Sequence, residues 1–67
     1  MREEVLKIVS EAREKGERAK LTGADLARAD LADADLADVD LTEANLRWAD
    51  LTEANLTKAN LTKADLA

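Results

Sequence analysis

Asp33, Asp35, Asp38 and Asp40 place four carboxylates within eight residues, the densest set of carboxylates in the chain. Oxygen donors of this kind suit a hard cation, but only where a loop, commonly turned by glycine, bends them around one ion. The two glycines, Gly16 and Gly23, lie elsewhere. Paired carboxylates perform acid–base catalysis when a pocket separates their pKa values, and a small convex surface offers none. Ser10 has no base partner, because the sequence contains no His, so nucleophilic catalysis has no candidate. With no Cys either, thiolate chemistry and a disulfide framework are both absent. These absences predict a protein that is not an enzyme, with no catalytic residue, no cofactor and no metal.

Charge narrows the partners further. The 67 residues carry 15 acids against 10 bases, a net charge of −5, and a single aromatic residue, Trp48. That sign and the lack of stacking groups oppose nucleic-acid binding. No uncharged stretch approaches the roughly 20 apolar residues needed to cross a bilayer. Glu3 and Glu4 stand where a secretory signal would be basic, and no apolar stretch follows them. The expectation is a cytoplasmic protein that engages neither membrane nor nucleic acid.

The elements that must carry these side chains follow from a repeat. From Leu21 a leucine recurs every fifth residue: Leu21, Leu26, Leu31, Leu36, Leu41, Leu46, Leu51, Leu56, Leu61 and Leu66. Two residues before each stands Ala or, once, Val39, and between them Asp or Asn in every repeat but the first, where Lys20 takes the place. An α-helix turns such a period through about 500°, so no apolar stripe forms. On a flat strand an odd spacing throws alternate leucines onto opposite faces. The leucines share an interior only if the chain turns a corner once per repeat, as a solenoid, with Leu and the small residue pointing in. A disordered low-complexity tail has no reason to hold this register.

The A-(D/N)-L-x-x pattern across residues 19–67 resembles the pentapeptide repeat family. The resemblance implies a mainly β fold, a right-handed quadrilateral β-helix, with ten repeats making about two and a half coils. It further implies that residues 20 apart stack on one another at the strand spacing of about 4.8 Å.

Residues 1–18 form a separate unit. Val5, Ile8, Val9 and Ala12 follow i, i+3, i+4, i+7, which predicts an amphipathic helix over about residues 2–15. Glu3–Lys7, Glu11–Lys15 and Glu14–Arg18 are favourable i,i+4 pairs on its wet side, and Gly16 supplies a stop. Five acids and five bases give it no attraction to anionic lipid. Its apolar face is expected to cap the first coil, as solenoid ends require.

With four sides per coil, the outward columns read Asp25–Asn45–Asp65, Asp35–Asn55, Asp40–Asn60 and Asp30–Asp50. Asp38 falls on Lys58, Glu43 on Lys63, and Arg28 under Trp48 within cation–π reach. Asp33–Glu53 and Asp30–Asp50 remain like-charged. Residues 24–43 hold seven acids, Asp25, Asp30, Asp33, Asp35, Asp38, Asp40 and Glu43, against Arg28 alone, a net of −6. Pentapeptide repeat proteins that bind DNA gyrase imitate duplex DNA, and the resemblance makes this band a candidate mimic. A plainer explanation is that Asp and Asn suit tight corners, where they hydrogen-bond nearby backbone. Thr22–Thr42–Thr62 also form a column of the ice-binding kind, too narrow to weigh heavily.

The last coil, ending at Leu66–Ala67, carries no second cap. Its exposed leucines and unpaired backbone predict end-to-end stacking of two copies through Leu56, Leu61, Ala64 and Leu66. The resemblance implies the same, since natural family members often dimerise through their C-terminal ends. Uniform Leu and near-uniform Ala, where relatives mix in Phe, favour an idealised or designed scaffold over a DNA mimic that binds a type II topoisomerase.

Overall fold

Helix α1 runs over Arg2–Glu14 in a computed structural model that describes all residues from Met1 to Ala67. Its four-residue spacing brings Val5 and Val9 to one buried face, with Leu6 and Ala12 packed beside them. The expected stop forms at Gly16. With φ +70°, this residue lets the Glu17 amide donate to the Ala12 carbonyl at 2.8 Å and its own amide to Arg13 at 3.0 Å. Both bonds satisfy carbonyls that the helix end would otherwise leave unpaired.

From residue 19 the chain turns every five residues. Nine successive corners share one hydrogen bond, from the amide three residues after each leucine back to that leucine's carbonyl, at 2.9–3.2 Å. The third corner residue always has positive φ, between 57° and 69°. Those are type II turns, which ordinarily ask for glycine at that place. Only Gly23 complies; Arg28, Asp33, Asp38, Glu43, Trp48, Glu53, Lys58 and Lys63 occupy the others.

Four corners bring the chain back upon itself after 20 residues. Parallel bridges join Lys20 to Asp40, Asp25 to Asn45, Asp30 to Asp50, Asp35 to Asn55, Asp40 to Asn60 and Asn45 to Asp65. Amides of each coil donate to carbonyls 19 residues ahead, as Leu21 to Asp40 and Leu26 to Asn45, at 2.7–2.9 Å. No extended strand develops, because a corner interrupts the ladder after every bridge. The only regular element is α1; the repeats are turns tied by single-residue bridges.

The interior is a leucine column lined by small residues. Leu31, Leu36 and Leu41 are fully buried, with Leu21, Leu26 and Leu46 close behind and Ala29, Ala34, Val39 and Ala44 between them. Leu51, Leu56 and Leu61 are half-buried and Leu66 is 55% exposed, so the core thins toward the C-terminal coil. Val5 and Val9 of α1 belong to the same cluster and seal the other end.

Candidate interaction surfaces

The Asp and Asn before each leucine have a local task. Each places Oδ1 on the amide two residues ahead: Asp25 on Ala27, Asp30 on Ala32 and Asp35 on Ala37 at 3.2 Å, Asp40 on Thr42 and Asn45 on Arg47 at 3.0 Å. Asp50, Asn55, Asn60 and Asp65 repeat the bond at 3.0–3.1 Å. Only a short side chain with an acceptor oxygen reaches back this way, which is why the position alternates freely between Asp and Asn. In four repeats the Thr after the leucine donates its hydroxyl to the same oxygen, at 2.5 Å in Thr42–Asp40 and 2.6 Å in Thr52–Asp50, Thr57–Asn55 and Thr62–Asn60.

Two of these carboxylates are held below the usual aspartate range. The Thr42 hydroxyl and amide do this for Asp40 against partial desolvation, helped by the Thr22 hydroxyl and the Arg18 charge. Thr52 does the same for Asp50, again against desolvation, with Arg2 adding its charge. A carboxylate so bound is stabilised as an anion and is a poor general acid at neutral pH.

The acidic band is more neutralised than its sequence suggests. α1 lays Arg2 against Asp30 at 3.6 Å and Arg13 against Asp35 at 3.1 Å. Asp25, Asp30, Asp35 and Asp40 each have one oxygen on the backbone, leaving Asp33, Asp38 and Glu43 at the positive-φ corners as its free outward charges. The expected ion pairs Asp38–Lys58 and Glu43–Lys63 do not close, and neither do the three i,i+4 pairs on α1. The ion pairs that form are Met1–Glu4, Arg2–Asp30, Arg13–Asp35 and Arg47–Asp65. The pairs to the first coil instead come from α1, whose arginines reach down its rim. Trp48 projects with 70% of its surface exposed.

Sequence reasoning missed these two arginines. Arg2 also donates to the carbonyls of Asp30 and Ala32 at 2.9 and 2.8 Å, and Arg13 to those of Asp35 and Ala37 at 3.4 and 3.1 Å. These are the carbonyls that a preceding coil would have paired. The partners are backbone atoms 22–30 residues away in sequence, more than a full coil, so no local charge pattern reveals them.

No cluster of three metal-capable side chains is assembled, Asp33–Asp40 included, and no helix is long and apolar enough to cross a membrane. The clefts are shallow and lie beside α1. One of about 500 Å³ lies between Ile8, Ala12 and the segment 17–20, another of about 380 Å³ around Ser10, Arg13 and Asp35. Leu56, Leu61 and Ala64 are half-buried and Leu66 lies open on the C-terminal coil.

Compared with known families, residues 17–47 and 29–67 match the family model for pentapeptide repeats, in eight copies. Searches of the curated proteins and of the solved structures gave no match.

Proposed function

Because this chain belongs to the pentapeptide repeat family, we propose that its repeats form the right-handed quadrilateral β-helix of that family and serve as a non-catalytic scaffold. Proteins of this family are generally structural or interaction proteins rather than enzymes. The uniform leucine column and its Ala companions make this an idealised member, built for architecture. The scaffold self-associates through its C-terminal coil. One gradient supports this: Leu31, Leu36 and Leu41 are 0% exposed, whereas Leu66 is 55% exposed. Stacking two such ends removes apolar surface from water and pairs backbone groups that a solenoid edge leaves open. The pairing is isologous, Leu56, Leu61, Ala64 and Leu66 of one copy meeting the same residues of the other.

Sedimentation equilibrium at high micromolar concentration tests this. A dimer mass that reverts to monomer in Leu66→Glu is expected; a monomer mass at every concentration refutes self-association.

A second proposal is a DNA mimic that occupies a basic groove on a type II topoisomerase such as DNA gyrase. The outward carboxylates of Asp33, Asp38, Glu43 and Glu53, none engaged in an ion pair, favour it. The neutralisation of Asp30 and Asp35 by α1 weighs against it. Gyrase supercoiling unaffected at tens of micromolar protein would sink the mimic.

A further inference from the structure

The rim of the first coil is covered on one half only. In the ladder, carbonyls accept from amides 19 residues earlier, so the first coil turns eight outward: those of Lys20, Thr22, Asp25, Ala27, Asp30, Ala32, Asp35 and Ala37. Arg2 and Arg13 satisfy the last four. No protein donor reaches the first four; the amides of Asp25, Asp30 and Asp35 are open alike, so the carbonyls alone distinguish the two halves. A row of unpaired backbone groups along an edge is the template onto which an extended segment adds.

The larger cleft opens beside the start of this row. Ile8, 41% exposed, Ala12 and Ala19 are its apolar lining. Lys15, Arg18 and Lys20 bring three cations to it, against Glu11 and Glu17. A net positive recess in a chain of charge −5 selects for anionic side chains. α1 occupies the other half of this end, so another complete coil has no room there, while a single extended segment does.

We propose that the rim side carrying the Lys20 and Thr22 carbonyls, with the cleft beside it, captures a short extended acidic peptide. Its amides donate to the carbonyls of Lys20 and Thr22. One apolar side chain sits against Ile8 and Ala12, and the alternate carboxylates face Lys15, Arg18 and Lys20. The peptide adds to the rim as one more rung, on the side that α1 leaves bare.

The test is titration of acetylated Val-Glu-Val-Glu-Val amide into the 15N-labelled full chain. Saturable shifts confined to Ile8, Ala12, Lys20, Thr22 and their neighbours are expected. Three changes are each expected to weaken binding: Lys in place of Glu in the peptide, N-methylation of its alternate amides, and Lys15→Glu with Lys20→Glu in the protein. The charge changes should do so by about fivefold or more, the scale of a few partly screened surface pairs. Shifts that map to Trp48 or the C-terminal coil, or no saturable shifts, overturn the proposal. Equal binding of the N-methylated peptide overturns edge pairing, and equal binding of the Lys peptide overturns charge selection. The peptide arms use the unaltered chain, so they decide the matter even if the double variant folds poorly.

Discussion

Gly23→Ala isolates what the corners cost. At Gly23 φ is +69°, and a Cβ added there meets nothing within 4 Å, so no clash contributes. What remains is the left-handed conformation, about 1–2 kcal/mol for an L-residue. Against it stands a gain of about 0.4–1 kcal/mol from the smaller entropy of the unfolded Ala chain. The balance spans about 0–1.6 kcal/mol of loss and centres on ~0.8 kcal/mol, or ~3–6 °C in Tm for a domain this small. Glu53→Gly runs the substitution backwards at φ 57°, and Glu53→Gln removes the charge alone. The difference between those two is chiefly the backbone effect, expected to favour Gly by about 0.5–1 kcal/mol, around the centre of the same balance. Thermal melts followed by circular dichroism read all three. If Gly23→Ala leaves Tm unchanged or raises it, while Glu53→Gly is no more stable than Glu53→Gln, the corners are not left-handed and the turn assignment fails.

Other substitutions read the interior, the rim and the titrating corners. Leu41→Ala, at a fully buried site, should cost about 2–5 kcal/mol in chemical denaturation. Leu66→Ala should fall within about 0.5 kcal/mol under monomeric conditions, as surface changes do. A cooperatively folded Leu41→Asp would show that the leucine column does not point inward. Arg2→Ala and Arg13→Ala should each lower stability by about 1 kcal/mol, since each strips donors from two carbonyls. Asp40 and Asp50 have lowered folded pKa values, so their contribution is complete above the ordinary aspartate value of about 4 and is lost as pH falls through the folded value. A Tm–pH profile should therefore descend in acid. Asp40→Asn with Asp50→Asn keeps the acceptor oxygens and should flatten that limb.

The period of five carries most of the architecture in the sequence itself. It places the corners, and the leucines with their small companions fill the buried column from Leu21 to Leu46. The helix is legible from Val5, Val9 and Gly16 to within one residue of its end. Three things are not legible. A mainly β class leads one to expect strands, whereas corners at every fifth residue leave only isolated bridges. Charge columns pair Asp38 with Lys58 and Glu43 with Lys63, but neither ion pair forms. Nothing in the sequence marks Arg2 and Arg13 as covering the first coil, because sequence patterns record side chains and their partners are carbonyls. For the candidate surfaces, the acidic band was visible as composition, yet its partial neutralisation depends on where α1 lies.

The shared corner geometry has a genetic consequence. Since every side is one repeat and every coil four, an in-frame duplication of a single repeat leaves each corner intact but swings everything beyond it through a quarter turn. Exposed residues would then meet new neighbours above and below while the interior stayed leucine on leucine. A duplication of four repeats would lengthen the molecule and preserve every exposed column. Sequence length thus acts as a rotary dial for the surface, and the alphabet of the core is indifferent to its setting.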